Sequence, residues 1–211
     1  MPTITQRLDE LGRSLGTFAG IARAIIVLCV LATLAAVLVN FLLAKKGGEV
    51  TAESRSVVAT GSMLGFFAGY YCLIRFQVGV IPLPAGSVAL SLACVGLALV
   101  VVGTGVNILG RCALGGNWGD QIRIYRDHRL VTGGVYRYVR HPLYASLIWM
   151  FFGAALFFQN WLALAADLGI FLPAMYYRGR QEEVALRSLF PLYAEYARQT
   201  GMFFPLPWTP K

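Results

Sequence analysis

The sequence predicts an all-α integral membrane protein with about five transmembrane helices, the last two folded into a C-terminal helix hairpin. Three observations carry that expectation. Of the 211 residues, 57% are hydrophobic and only 13% charged, a balance outside that of ordinary soluble domains. Apolar runs at about 21–44, 57–76 and 86–109 each reach the roughly 20 residues that a helix needs to cross a bilayer. Two further runs, at about 142–158 and 161–177, are parted only by Gln159 and Asn160, and so short a gap forces antiparallel helices.

In chain order, residues 1–20 mix polar and apolar side chains. They are not read as a cleavable signal, because the apolar stretch that follows is too long for one. Gly12, Gly16, Gly20 and Ala24 share one stripe of a helix, a pattern that either packs helices closely or arises by chance in a glycine-rich chain. The first span ends at Lys45-Lys46-Gly47-Gly48. The second carries Gly61, Gly65 and Gly69, and here close helix packing is expected. Pro82 and Pro84 mark a turn before the third span. From Arg111 to Arg140 the chain is polar and holds six arginines. Within it, Gly115-Gly116-Asn117-Trp118 suggests a turn with an interfacial tryptophan. The two arms of the hairpin would each extend about 25 Å, so its tip is expected short of the far interface, supported by other helices. The natural division is a three-helix N-terminal region, 1–110, and a C-terminal region, 111–211, holding the hairpin and the polar loops.

Charge gives the orientation. The side receiving the first, third and fifth connecting regions collects fourteen of the 18 lysines and arginines. The excess places the N-terminus outside and the C-terminus in the cytoplasm, as expected of a multi-pass protein of a bacterial cytoplasmic membrane. The net charge of +8 is explained by these loops, and no nucleic-acid module accompanies it. Cys29, Cys72, Cys94 and Cys112 have no metal-type spacing, so packing thiols and no metal site are expected. Gly103-x-Gly105 with Gly110 lacks the spacing and the strand-to-helix context of a dinucleotide fingerprint.

The chemistry concentrates in LVTGGVYRYVRHPLYAS, residues 130–146. Gly133-Gly134 breaks the preceding structure, and His141-Pro142 reads as a helix start, since proline suits the first helical position. Such a start turns unpaired N–H groups and a positive dipole end toward the loop. With Arg137 and Arg140 beside it, this is a seat for a carboxylate or phosphate. An ordinary basic collar on a membrane helix would look similar. The hairpin returns to this same point Arg178, Arg180, Glu182 and Glu183, whose spacing also permits ion pairs along one helix.

Gly134-x-Tyr136, Arg140-His141-Pro142-x-Tyr144, Glu182-Glu183 and Phe190-x-x-Tyr193-x-x-Tyr196 together resemble the isoprenylcysteine carboxyl methyltransferase family, and in large part the related phospholipid N-methyltransferases. The similarity runs from about 111 to 205. Val135, Ser146 and Pro191 stand where the family often has proline, glycine and glycine. The resemblance implies a cytoplasmic site for S-adenosyl-L-methionine, with Gly134, Tyr136, Arg140, His141, Pro142, Tyr144, Glu182 and Glu183 as cofactor-binding residues and Arg140, His141, Tyr144 and Glu183 as the catalytic group. The donor's carboxylate would suit the helix start, and its sulfonium would tolerate the faces of Tyr136, Tyr144 or Tyr193. His141 could equally be a helix cap.

The acceptor implied is a lipophilic small molecule or a lipid-modified one, reached from membrane lipid; no nucleic acid is involved, and the glycine stripes permit a homodimer. A carboxylate or thiolate is already ionised and asks mainly for positioning and exclusion of water. An amine must first lose a proton. With no dedicated base beyond His141 and the glutamates, carboxylate or thiol acceptors are favoured. The alternatives are a phospholipid amine N-methyltransferase, a sterol-type reductase, whose larger number of spans argues against it, and a non-enzymatic scaffold or carrier. A carrier would more often place ionisable groups mid-membrane, and Asp167 is the only acidic residue well inside a span.

Overall fold

The computed structural model describes residues 17–43, 50–54, 57–84, 86–115, 122–125 and 130–206. The element order is helix α1 (Phe18–Leu43), strand β1 (Val50–Ser54), α2 (Val57–Arg75), α3 (Ser87–Leu114), strand β2 (Ile122–Tyr125), a 3-10 turn (Gly134–Arg137), α4 (Pro142–Phe157), α5 (Trp161–Ala166), a π-turn (Asp167–Phe171), α6 (Leu172–Leu189) and α7 (Tyr193–Gln199). The five expected apolar runs are therefore all helical. Gly12, Gly16, the Lys45–Gly48 loop end and Gly116-Asn117-Trp118 lie outside the described residues.

The expectation of an all-α chain needs one correction. Strands β1 and β2 pair antiparallel, with Glu53 opposite Arg123 and Ser54 opposite Ile122. The ribbon ties the segment after α1 to the segment after α3, which puts both on one side of the molecule. The sequence signal is the apolar–polar alternation of Ile122-Arg-Ile-Tyr, the period of a strand rather than a loop.

Among the described residues two helices, Phe18–Asn40 within α1 and Ser87–Leu114, are long and apolar enough to cross a membrane, and only 22% of an apolar 18-residue stretch of each is buried. Leu28, Leu34, Leu38 and Leu42 of α1, and Val88, Leu90 and Val102 of α3, are more than half exposed. Faces so apolar and so bare suit a hydrocarbon solvent and not water. Helix α4 is apolar but 16 residues long, about 24 Å at 1.5 Å per residue.

The main packing interface joins α3 to α4. Gly96, Gly103 and Gly110, spaced by seven, form the α3 side. A Cβ at Gly96 would lie 2.5 Å from the carbonyl oxygen of Gly153, and one at Gly103 2.8 Å from that of Ser146. The backbones are in direct contact, the geometry that small residues permit between membrane helices. The stripe expected to pack, Gly61, Gly65 and Gly69, has nothing within 4 Å of any of its three positions. Helix α2 instead buries aromatic bulk: Phe66 stacks on Phe171 at 4.8 Å, and Tyr70 meets Phe151 at 4.6 Å between ring centroids. Large rings bury more area than a glycine ridge can, so they choose the inward face.

The hairpin tip is held from below. Asn160 caps α5 by accepting from the Ala163 N–H at 2.9 Å, and its amide nitrogen donates to the Leu73 carbonyl at 3.0 Å. The Gln159 side chain accepts from the Leu83 N–H at 2.6 Å. The tip thus rests on the α2–α3 connection, the support expected of a short hairpin. Farther along, Pro173 has no N–H to offer the Gly169 carbonyl, and the helix widens into the π-turn, where Leu172 donates to Asp167 five residues back. The Asp167 side chain is fully buried, turned toward neighbouring helices rather than toward lipid. Residue 110, the expected regional boundary, falls inside α3.

Candidate functional site

The mouth of the hairpin is built from the start of α4, the middle of α6 and the chain after α7. Pro142 stands at the first position of α4. Before it, the 3-10 turn begins at Gly134, whose φ of 60° favours glycine. The turn buries Tyr136, and the Tyr196 hydroxyl pins it by donating to the Tyr136 carbonyl at 2.7 Å. Helix α6 ends at Phe190, which is extended because Pro191 follows. That break turns α7 back across the mouth.

His141 occupies the position before α4, but its side chain makes no cap, which corrects the expectation that it could serve as one. The imidazole lies between two carboxylates instead, with Nδ1 3.4 Å from Glu182 Oε2 and Nε2 3.4 Å from Glu183 Oε1. Burial disfavours its charged form, yet hydrogen bonds and charge from Glu182 and Glu183 outweigh burial and raise its pKa above the ordinary histidine value. Burial likewise disfavours a charged Glu183, but His141 and Arg140 hold it down at about 2. The two carboxylates therefore favour the protonated imidazole over the neutral one.

The two glutamates have separate surroundings. Glu183 is 2% exposed. It accepts from Arg140 Nε at 2.9 Å and stands 4.0 and 3.8 Å from Arg180 and Arg187. Glu182 keeps a quarter of its side chain exposed. It accepts from the Tyr144 hydroxyl, which in turn accepts from Arg178 Nε at 3.0 Å. The Tyr144 ring stacks on His141 with centroids 5.7 Å apart. The helix-surface pairing open from the sequence is present too, with Arg178 3.9 Å from Glu182.

Arg140 is less available than its motif suggests. Besides Glu183, its Nη1 donates to the carbonyls of Ala197, at 2.8 Å, and of Thr200. Arg137 is exposed on the 3-10 turn and joins none of the ion pairs described at the mouth. Tyr193 is buried, and burial followed by the charge of Glu183 raises its pKa. Burial also raises that of Tyr136, and it brings Tyr196 to about 12. These phenols stay neutral.

Sequence reasoning missed two parts of the site. Arg111 at the end of α3 donates through Nε to Asn107 at 2.8 Å, and Asn107 donates to the Ser146 hydroxyl at 2.8 Å. Ser146 passes the chain on to the Leu143 carbonyl at 2.9 Å, a link that glycine at that position could not make. The i,i+4 spacing of Asn107 and Arg111 was a readable signal. The second part is the segment Gly201–Phe204, which lies along 138–141 through Arg140 N–H to Gly201 O at 2.8 Å and His141 N–H to Met202 O at 3.2 Å. Nothing in its composition announces this docking. Among the described residues there is no group of His, Cys, Asp and Glu that could hold a metal ion.

Residues 70–188 match the model of the isoprenylcysteine carboxyl methyltransferase family. Over 81 residues the chain is 40% identical to the cobalt-zinc-cadmium resistance protein CzcN of Cupriavidus metallidurans, covering 38% of this chain and 37% of that protein. A solved eukaryotic intramembrane Ras methyltransferase of the isoprenylcysteine carboxyl type superimposes with a TM-score of 0.49 at 22% identity, covering 72% of this chain and 54% of that one. The chain thus spans little more than a third of the curated relative and about half of the solved structure.

Proposed function

The chain belongs to the isoprenylcysteine carboxyl methyltransferase family, and from that premise we propose that it is a membrane methyltransferase using S-adenosyl-L-methionine on a lipophilic acceptor that arrives ionised, as a carboxylate or thiolate. The observation that carries this reading is the His141 imidazole held between Glu182 and Glu183. A methyl donor of this kind supplies an activated methyl on a sulfonium, and an ionised acceptor needs no base beside it. A histidine engaged by two carboxylates, which favour its protonated form, suits that chemistry better than it suits an amine that must first be deprotonated.

The residues present fit the donor. The Tyr193 hydroxyl and Glu183 Oε2 are buried with no hydrogen-bond partner, so the mouth retains polar capacity for a ligand. Glu182 is the carboxylate that faces outward and would accept from the donor's ammonium or ribose. The first N–H groups of α4, after Pro142, would receive its carboxylate. Tyr144, with His141 stacked on its ring and the Arg178 guanidinium 5.9 Å from it, would line the wall of the site. Glu183 stands behind and fixes Arg140 and His141, while Gly134 and Tyr136 shape the adjoining turn. The acceptor would enter between helices from the bilayer, with the N-terminus outside and the mouth on the cytoplasmic side.

The test is calorimetric titration of the detergent-purified chain with S-adenosylhomocysteine beside a nicotinamide dinucleotide. Binding of the first alone is expected. Binding of the dinucleotide instead would move the chain to a reductase. Labelled S-adenosylmethionine with membranes should then place label in apolar products, and label confined to water-soluble products refutes a bilayer acceptor.

A further inference from the structure

Val88, Val95, Val102 and Leu109 recur every seven residues, about two turns, so they fall on nearly one line along α3. They are 64%, 51%, 54% and 57% exposed, and the row belongs to the face that suits hydrocarbon. It ends in a groove of about 410 Å³ between the last turns of α3 and the 3-10 turn, lined by Leu109, Gly134, Val135, Arg137 and Tyr138. The turn is seated on α3 at Gly134, where an added Cβ would meet that of Ala113 at 4.0 Å. A period of three residues divides its sides. Tyr136 and, three further on, Val139 are buried, Val139 in the core that α4 shares with α6. Val135 and Tyr138 share the other side and line the groove, which therefore lies on the outer, lipid-facing side of the turn. Its polar groups are a cation and a phenol, both exposed. Among the described residues no ion pair involves Arg137, and no carboxylate lines the groove.

We propose that this groove binds an anionic phospholipid of the leaflet at that end of α3, with an acyl chain along Val102 and Leu109, the phosphate on Arg137 and the rest of the headgroup beside Tyr138. The apolar row already meets the bilayer, and it runs without a break into the groove, so a lipid lying on the row has its headgroup where the cation stands. Basic pockets at the ends of membrane helices hold headgroups in this way, and tyrosine belongs at the same depth. The planar guanidinium matches phosphate oxygens. With no carboxylate to receive an ammonium, the groove favours a headgroup without a cation over a zwitterionic one. A lipid seated there would hold the 3-10 turn against α3, and that turn leads into the start of α4 at Pro142. The inference needs only the membrane setting and does not depend on the reaction the chain performs.

The experiment uses the full chain in nanodiscs of phosphatidylcholine, with and without phosphatidylglycerol, read by melting temperature and by native mass spectrometry of the lipid retained on release. The wild type should keep one phosphatidylglycerol and melt higher with it than without. Arg137→Gln should lower retention about tenfold, the weight of a lost charged hydrogen bond, and erase the rise in melting temperature. Leu109→Trp fills the floor of the groove and should lower retention as well. Arg198→Gln removes an exposed charge from α7 that lines no part of the groove, and should retain lipid like the wild type. Equal retention in Arg137→Gln and the wild type overturns the site, as does an equal loss in Arg198→Gln. Equal retention of the two phospholipids by the wild type overturns the choice of an anionic headgroup. Inorganic phosphate that stabilises the chain in phosphatidylcholine as much as phosphatidylglycerol does would assign Arg137 to a free anion and overturn the lipid. Should Arg137→Gln melt lower in phosphatidylcholine alone, Leu109→Trp decides by the same two measurements.

Discussion

Glu182 and Glu183 are neighbours with opposite duties, and single substitutions should separate them. Glu182→Ala removes an outward carboxylate and should cost about 1.5–3 kcal/mol of S-adenosylhomocysteine binding, the worth of a charged hydrogen-bond partner, with little change in melting temperature. Glu183→Ala strands Arg140 and His141 without their buried counter-charge, and breaking such a pair costs about 3–5 kcal/mol of stability. Thermal unfolding beside calorimetry distinguishes them, and equal ligand affinity in Glu182→Ala and the wild type would defeat the assignment. The same cluster sets a pH window. Glu183 is depressed to about 2, so its contribution is complete above the ordinary glutamate value and is lost as pH falls toward 2. His141 is raised, so its contribution is complete below the ordinary histidine value and is lost as pH rises through the folded one. Stability in detergent should therefore be highest between those ordinary values, and His141→Gln should flatten the alkaline side of the profile.

Among the helices, the α3–α4 contact and the hairpin tip hold the site in place. Gly103→Val would drive a side chain into the Ser146 carbonyl and Met150, and overpacking of that sort costs about 1–3 kcal/mol or more. Gly65→Val meets open space and should leave the melting temperature nearly unchanged. If both substitutions cost the same, the seven-residue stripe is not the interface. At the tip, Asn160→Ala loses the cap of α5 together with the bond to Leu73. A lost cap alone costs about 0.5–2 kcal/mol, and exchange of the Ala163 amide should quicken with it.

For the whole molecule, the apolar outer faces of α1 and α3 match a hydrocarbon surround, and the β1–β2 ribbon places the connections after α1 and α3 on one side. Five crossings with the N-terminus outside would put both on the cytoplasmic face with the hairpin mouth. Single cysteines placed at Ser54 and at Arg123, in a background without the native four, should label alike from the cytoplasmic side of sealed vesicles. Opposite labelling of the two would contradict the ribbon as well as the topology.

Read alone, the chain determined what local chemistry determines. The five apolar runs became helices, since hydrophobic length and proline placement act within a segment. Pro142 opened α4, and the Gln159-Asn160 gap closed the hairpin that brings residues 140–144 to residues 178–183. What tertiary structure decided lay in choices between equally good local options. Two glycine ridges with regular spacing were available, and the aromatic bulk of α2 sent one outward while seven-residue spacing sent the other into α4. Two adjacent glutamates had the same neighbours in sequence, but a helix turns successive residues about 100° apart, so one met Arg140 inside and the other kept an edge to solvent. The docking of Gly201–Phe204 along 138–141 and the Arg111–Asn107–Ser146 relay escaped the sequence because each depends on segments far apart in the chain. Their pairing is settled by the space left once the helices have packed, a quantity no local pattern encodes.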